Sequence, residues 1–343
     1  MKKTLGIALI TCLLLFGCSK PNAGPQYKND VSNYGINGKV KSVKSEVFSL
    51  IVENDAFKIG EKINSLPFDR NSLLEFNKLG NLTSSKEFYS NGKISDEIIY
   101  SYDEQDRLIK RKEIDNYYGK RSFYDNEFIY DNKDSLSQWI ISDKDFKRIH
   151  KIQRDENNRP IKREVIQNDT IFNTYIVKYD KNNNVISENE FKLNNIPIKL
   201  LERKFNNQNL KEKEQIIEYK TWDTLNYENK YFYDNNNNLI LGKFIIENDS
   251  TYEERTYSYH NNGELKKVVN KPKGNYTYFT IQTEKYNENG NIIERLNEPS
   301  DSKPKAIWSY QYKYDSKKNW IEKVNYKDNK PLVIVKRKIE YYE

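Results

Sequence analysis

The sequence predicts an all-β fold, a repetitive antiparallel β-hairpin meander of about 20 strands forming one long, twisted and curled sheet. A turn-like octapeptide recurs along the chain about every 26 residues, roughly two ordinary strands and two turns. Aromatic and polar residues alternate on the approach to these turns, as in the segment 308–314, WSYQYKY. Such alternation indicates a strand with one buried face. The 27 Tyr and 15 Phe also favour strands.

The octapeptide has an aromatic residue first, Asp or Asn second, Gly or Asn fifth, and apolar residues seventh and eighth. Its best copies begin at Phe76, Tyr102, Tyr179, Tyr233, Tyr259, Tyr286 and Tyr314, and looser copies begin at Tyr89, Tyr130, Arg154 and Phe205. Gly accepts a positive φ without steric cost, and Asn tolerates it next best. The second residue can hydrogen-bond to the backbone two residues on. Each copy is therefore predicted to be the turn of a β-hairpin.

The N-terminus has the pattern of a bacterial export signal. Lys2 and Lys3 precede an apolar run of about a dozen residues, which is typical of a secretory signal and too short for a membrane span. The ending Leu15-Phe16-Gly17-Cys18 resembles the lipobox of bacterial lipoproteins. That resemblance implies cleavage before Cys18 and attachment of lipid to its sulfur.

These features divide the chain into a signal peptide over residues 1–17, a flexible tether over 18–36 and a single repeat domain over 37–343. Cys12 would leave with the signal, so the mature domain would contain no disulfide. Ser19, after the acylated cysteine, resembles an outer-membrane sorting signal. We expect an exported outer-membrane lipoprotein whose membrane contact is its N-terminal lipid.

The repeat resembles the YD repeat of RHS-type bacterial proteins, as in Tyr179-Asp180-Lys181-Asn182-Asn183-Asn184-Val185-Ile186, over about residues 37–343. The stretch Tyr89-Ser90-Asn91-Gly92-Lys93-Ile94 also resembles a MORN-variant repeat. These resemblances imply repeated β-hairpins on a bacterial surface, and small lipoproteins of this kind are typical of Bacteroidota. They do not imply toxin delivery, because the large RHS shells are far longer.

Few residues suggest catalytic or metal chemistry. His150 and His260 have no second His or Cys nearby, which argues against a metal site of the usual type. Asn-rich turns such as 234–238 offer oxygen ligands for calcium but lack the EF-hand pattern, so turn formation is favoured. No nucleophile motif or phosphate-binding glycine loop occurs. We therefore expect no catalytic residue, no metal and no cofactor.

Two sets of residues are candidates for recognition or modification. Trp222 lies between two predicted strands and is the candidate aromatic contact for a ligand, whereas most other aromatics are assigned to the sheet. An Asp followed by Ser or Thr resembles the O-glycosylation signal of exported Bacteroidota proteins, and places candidate sites at Ser135, Thr170, Thr224 and Ser250. The alternative is that these pairs simply form turns.

Three functions remain open. The favoured one is a non-catalytic envelope scaffold or binding module for a glycan or an envelope protein. The second is a carrier that holds an apolar ligand in a dry, aromatic-lined cavity of the curled sheet. The third is a carboxylate-based carbohydrate-active enzyme, which requires two facing carboxylates in a cleft. The net charge is +7, but Lys and Glu alternate along the chain rather than cluster. The sequence therefore has no basic stripe that would suggest nucleic acid as a partner.

Overall fold

The computed structural model describes residues 30–53, 56–66, 69–116, 122–221, 223–246, 252–274, 280–300 and 303–343. These residues form 23 β-strands, a four-residue helix α1 (Asp30–Asn33) and a 3-10 turn at Leu193–Asn195. No helix in these ranges is long and apolar enough to cross a membrane.

The strands follow one another in chain order: β1 (Val40–Glu53), β2 (Ala56–Lys62), β3 (Ser72–Phe76), β4 (Leu82–Phe88), β5 (Ile94–Tyr102), β6 (Leu108–Asp115), β7 (Ser122–Tyr130), β8 (Leu136–Ser142), β9 (Lys147–Arg154), β10 (Pro160–Gln167), β11 (Thr170–Tyr179), β12 (Val185–Lys192), β13 (Ile196–Phe205), β14 (Lys211–Tyr219), β15 (Thr224–Tyr233), β16 (Leu239–Ile246), β17 (Tyr252–Tyr259), β18 (Leu265–Lys273), β19 (Thr280–Tyr286), β20 (Ile292–Pro299), β21 (Ala306–Tyr314), β22 (Trp320–Lys327) and β23 (Lys330–Tyr341).

The sheet closes on itself. From β3 to β23 each strand pairs antiparallel with the next, and β23 then pairs with β1 between Val40 and Ser49. The other edge of β1 pairs with β3 between Ser42 and Ser45. The strands other than β2 thus form a closed 22-stranded barrel, while β2 pairs with the far end of β1. The predicted all-β antiparallel meander is confirmed, and the sheet is closed rather than an open curl.

The repeat turns have the predicted left-handed residue at their fifth position. Its φ lies between 58° and 84° at Gly80, Gly92, Asp106, Asp134, Asn158, Asn183, Asn209, Asn237, Gly263, Gly290 and Lys318. The copy assigned to Tyr89 begins one residue earlier, at Phe88, because Gly92 occupies the fifth position. That turn joins β4 to β5 at the opposite rim of the barrel from the other copies.

The second residue of the turn fixes the loop through its side chain. In one example, Asp103 Oδ1 accepts hydrogen bonds from the backbone N–H groups of Gln105 at 3.0 Å and Arg107 at 2.9 Å. The same pair of hydrogen bonds forms in the turns that start with Asn77, Asp131, Asp155, Asp180, Asn206, Asp234, Asn287 and Asp315. The turn is therefore closed by its own carboxylate or amide oxygen.

A β-bulge follows each repeat turn. Tyr102 pairs with Leu108 but Ser101 pairs with Lys110, so Ile109 is an extra residue in its strand. The same shift occurs after the turns at Phe76, Phe88, Tyr130, Arg154, Tyr179, Phe205, Tyr233, Tyr259, Tyr286 and Tyr314. Bulges increase strand twist and bend the sheet, which favours closure. The extra residue of each bulge is the eighth residue of the octapeptide, the second of its two apolar positions.

The first tyrosine of a repeat links successive units. The hydroxyl of Tyr102 donates to the carbonyl of Leu82 at 2.8 Å, and that of Tyr130 donates to Leu108 at 2.9 Å. Equivalent hydrogen bonds join Tyr179 to Pro160, Tyr233 to Lys211 and Tyr259 to Leu239. Each such tyrosine thereby binds the strand that leaves the preceding repeat turn.

The packed part of the chain begins earlier than the sequence predicts. Val31 and Ile36 are 3% and 7% exposed and pack with Val43, Phe76 and Leu82 where β1 joins β3. The tether predicted over 18–36 is therefore shortened at its C-terminal end, because these apolar side chains are buried in the core. The signal peptide and Cys18 lie outside the described residues.

Lys318 occupies a position that disfavours its side chain, since its φ is 65°. We expect Lys318→Gly to stabilise the protein by about 1 kcal/mol, because left-handed backbone costs a non-glycine residue about 1–2 kcal/mol. Ser316→Gly in the same turn is the control and should destabilise, because its φ is not positive and glycine only adds chain entropy. Urea unfolding measures both, and a Lys318→Gly variant no more stable than Ser316→Gly would contradict the expectation.

The turn carboxylates should make stability acid-sensitive. The pKa is lowered for Asp131 and Asp234 chiefly by N–H groups of their own turns, and for Asp155 chiefly by Arg159. Since the folded pKa lies below the unfolded value of about 4, this stabilisation is complete above that pH and is lost as pH falls through the folded pKa.

The measurement is the urea midpoint from pH 7 to pH 2. The wild type should lose stability below about pH 4. Asp234→Asn keeps an oxygen acceptor but cannot titrate, so its acid-induced loss should be smaller. An equal loss in the two proteins would show that this turn does not contribute.

Candidate functional site

The two faces of the barrel differ in exposure. On β21, Tyr310, Tyr312 and Tyr314 are half-buried, while Gln311 and Lys313 between them are exposed. The same alternation recurs in the last four residues of β5, β7, β9, β11, β13 and β17, as expected if one face is crowded inside a closed sheet. We call the face that carries the repeat tyrosines the concave wall and the other the outer face.

The concave wall encloses a lumen. A closed sheet of 22 strands is too wide for opposite walls to fill with side chains. Concave side chains form hydrogen bonds between adjacent strands, as where Glu214 on β14 accepts from Arg203 on β13 and Tyr231 on β15, and near the closing strands they bond the segment between β2 and β3. The wall therefore presents side chains toward an enclosed space.

Arginine and lysine are divided between the faces. Every arginine within a described strand lies on the concave wall: Arg111, Arg148, Arg154, Arg163, Arg203, Arg255, Arg295 and Arg337. Most strand lysines lie on the outer face, where several pair with glutamates: Lys86 with Glu97, Lys243 with Glu254, Lys285 with Glu294 and Lys313 with Glu322. The guanidinium is planar and less strongly hydrated than an ammonium, which suits it to a partly enclosed surface.

Several of these guanidinium groups stack on aromatic rings of the wall. Arg337 lies 3.4 Å from the ring centre of Trp320, and Arg163 lies 3.9 Å from that of Tyr175. Burial lowers the pKa of Arg337 to about 10, so the group remains charged at neutral pH. The wall thus combines aromatic rings with fixed positive charge.

Buried carboxylates on the wall are paired. Glu214 accepts hydrogen bonds from Arg203 Nε at 2.9 Å, Asn229 Nδ2 at 3.1 Å and the Tyr231 hydroxyl at 3.3 Å. Desolvation opposes its charge, but Lys211 and Arg203 outweigh that effect and lower the pKa of Glu214. The side chain is an ionised acceptor that joins three strands.

The segment between β2 and β3 covers one part of the wall. Ile63 and Leu66 pack against Val47, Val333 and Val335. Farther along, Asp69 is 6% exposed, forms an ion pair with Lys323 and accepts a hydrogen bond from Asn325 Nδ2 at 2.5 Å. Burial lowers the pKa of Lys323, and the Asp69 carboxylate opposes that shift. This segment therefore fixes the wall next to β22 and β23.

The carboxyl groups of the described residues are held in the charged form. Each described carboxyl group whose pKa departs from its ordinary value has that pKa lowered, as for Glu46, Glu214 and Glu228. A glycosidase-type acid needs a raised pKa. No three His, Cys, Asp or Glu side chains in the described ranges gather as they would around a metal ion.

The predicted site residues that the structure describes, Ser135, Thr170 and Thr224, lie in three different hairpins. Cys18, Trp222 and Ser250 lie outside the described residues. Ser135 is half-buried in a repeat turn, where its hydroxyl accepts a hydrogen bond from Asn158 Nδ2 at 2.7 Å. Thr170 and Thr224 are exposed at the starts of β11 and β15. Glycosylation at these sites stays a prediction.

The concave arginines were not predicted from sequence. Arg111, Arg163 and Arg295 each lie nine residues after the first residue of a repeat copy. Simple alternation from that residue places them on the outer face, but the bulge after the turn shifts them to the concave wall. The sequence signal that could have identified them is their shared position, nine residues after the first residue of a repeat copy.

Comparison with known proteins adds distant similarities of fold. No family model matches the sequence, and no curated protein matches it. Two crystal structures, of TcdB2-TccC3-TEV and TcdB2-TccC3, are 12% identical to this chain with TM-scores of 0.40 and 0.41. They cover 80% and 81% of this chain, which spans only 17% and 18% of theirs. A porin-like protein from Bacteroides uniformis is 9% identical, with a TM-score of 0.31 over 88% of this chain and 96% of that one.

The Asp69–Lys323 pair gives a stability prediction. Asp69→Ala should destabilise the protein by about 3–5 kcal/mol, because it leaves a buried ammonium without its partner. Asp69→Ala combined with Lys323→Met should recover most of that loss. Urea unfolding of the two variants decides the matter, and a double variant as unstable as the single one would contradict it.

Proposed function

We propose that this protein is a non-catalytic binding module of the bacterial cell envelope, held at the outer membrane by lipid on Cys18. Its ligand, a glycan or an envelope protein, binds to the concave wall. The observation that carries the proposal is the division of arginine and aromatic residues from lysine between the two faces. Tyr, Trp and Arg are enriched at the centres of binding surfaces, and Lys is depleted there.

The charge on the wall favours a hydrated ligand over an apolar one. Ion pairs such as Arg295 with Glu284 at 2.7 Å and Arg255 with Glu253 at 2.8 Å lie among the rings. An apolar ligand that covered these groups would remove their water without replacing its hydrogen bonds. A glycan or protein surface can supply hydrogen-bonding groups in return. The carrier hypothesis therefore ranks below the binding module.

The wall can be tested against the outer face by matched substitutions. Trp308→Ala removes a ring from the concave wall, and Phe232→Ala removes an exposed ring from the outer face. The probes are purified peptidoglycan sacculi, surface polysaccharide and detergent-solubilised outer-membrane protein from the producing bacterium. Co-sedimentation or pull-down should show wild-type binding to at least one probe.

For that probe, Trp308→Ala should weaken binding by about tenfold, the scale of an aromatic hot spot, and Phe232→Ala should leave it unchanged. Thermal unfolding of each variant verifies that it is folded. Equal losses in both variants, or no binding by the wild type, would refute the assignment of the concave wall.

The anchor has its own test in the native host. Cys18→Ala should move the protein from the membrane fraction to the soluble fraction, because one acylated residue provides the attachment. Unchanged membrane retention of a processed Cys18→Ala protein would contradict lipid anchoring.

A further inference from the structure

The concave wall of β7 to β11 contains no carboxylate among its described strand residues. The side chains that share the wall with Tyr130, Arg154 and Tyr179 on these strands are neutral or positively charged, while Asp125, Glu127 and Glu164 lie on the outer face. The positive members are Arg148, Arg154 and Arg163. We call these five concave strand faces the basic patch.

Of the other strand arginines on the wall, Arg337 stacks on Trp320, and the remaining four pair with carboxylates: Arg111, Arg203, Arg255 and Arg295. Arg111 pairs with Glu113 at 3.1 Å and Arg203 with Glu188 at 3.2 Å on either side of the basic patch. Inside the patch the partners are neutral: Arg148 donates to Gln167 Oε1 at 3.1 Å, and Arg163 lies over the ring of Tyr175. Arg154 donates to the carbonyls of Asn158 and Leu136. None of these three side chains thus pairs directly with a carboxylate, although Glu190 of the adjoining β12 accepts a hydrogen bond from the Tyr175 hydroxyl at 2.6 Å.

The buried histidine of the patch responds to this charge. His150 is 7% exposed and stacks on Trp139 with ring centres 4.4 Å apart. Burial first, and then the charges of Arg163 and Arg148, lower the pKa of His150 to about 3. The imidazole is therefore neutral at physiological pH, so the positive potential of the patch comes from its arginines.

We propose that the basic patch binds an acidic polysaccharide, whose carboxylate groups pair with Arg148 and Arg163. The inference rests on the proposed function and specifies its ligand class. A guanidinium can donate two parallel hydrogen bonds to one carboxylate, and a concave surface of one charge sign concentrates its field.

The spacing of the arginines favours a polymer. Arg148 pairs with Gln167 and Arg163 lies four residues before Gln167 on β10, which places the two arginines about 13 Å apart along the sheet. At this backbone spacing, each arginine can pair with its own carboxylate. A chain with repeated carboxylates can engage both, and the second contact then benefits from a high effective concentration.

The rings of the patch are mostly buried, which disfavours an acidic peptide that would bind through an apolar side chain. Phe128, Trp139 and His150 stack in a row across β7, β8 and β9. Among the large apolar side chains on the described concave faces of β7 to β10, only Tyr124 is exposed, at 36%. On β7 to β10 the patch therefore offers no further exposed apolar side chain of the kind on which peptide recognition depends. Recognition by the patch therefore depends mainly on ion pairs between its arginines and the ligand's carboxylates.

The test measures the affinity of the folded mature chain for polygalacturonate by calorimetry, with dextran, monomeric galacturonate and poly-L-glutamate as comparisons. Wild-type protein should bind polygalacturonate more tightly than the other three, and higher salt should weaken binding. Arg163→Gln should raise the Kd about tenfold, because it removes a charge-assisted hydrogen-bonding group. Lys162→Gln is the matched control, since Lys162 adjoins Arg163 on β10 but lies on the outer face, where it pairs with Glu164 at 2.7 Å, and it should change the Kd less than about twofold.

Three results would overturn the inference: no binding of polygalacturonate, equal effects of Arg163→Gln and Lys162→Gln, or equal affinity for poly-L-glutamate, which would indicate an acidic peptide. Thermal unfolding shows whether both variants are folded. The wild-type protein could fail to bind polygalacturonate and still bind an envelope probe, with that binding weakened by Trp308→Ala. In that case this inference fails while the proposed function stands.

Discussion

The hydrogen bonds inside the repeat turn are the constraint on which the barrel depends. An Asp or Asn at the second position accepts two backbone N–H groups, and the fifth residue adopts positive φ, as in the turn from Asp103 to Arg107. These local bonds fix where one strand ends and the next begins. Because turn geometry sets the register of a hairpin, the repeated turn also determines which side chains share a face.

The same local rule explains what could be predicted from the sequence. The fifth position was evident because Gly or Asn recurs there, and even Lys318 adopts the left-handed conformation when it occupies that place. The bulge after each turn was less evident, because an extra residue such as Ile109 looks like an ordinary apolar residue of the motif. If the bulge is left out, simple alternation assigns every later side chain of the strand to the wrong face. For this reason the concave arginines were not predicted from the sequence.

Contacts between residues far apart in the chain were harder to predict from the sequence. Closure of the sheet depends on pairing between β1 and β23, and neither strand has a motif that identifies the other. The burial of Val31 and Ile36 likewise depends on the space between β1 and β3 that closure creates. The Asp69–Lys323 pair joins residues far apart in sequence, and it forms only because both lie beside the seam. Such contacts are properties of the assembled barrel.

The pairing of β1 with β23 has a consequence for when the barrel can assemble. Neighbouring hairpins are local and can form as soon as their residues are available, but the seam joins segments such as Val43 and Ile339 from opposite ends of the domain. Bringing such distant segments together costs chain entropy and gives the final step a high contact order. Until that step, both β1 and β23 have a free edge open to pairing with other chains. During biogenesis the unsealed sheet is thus the aggregation-prone species, and a chaperone would need to protect it until its last strand arrives.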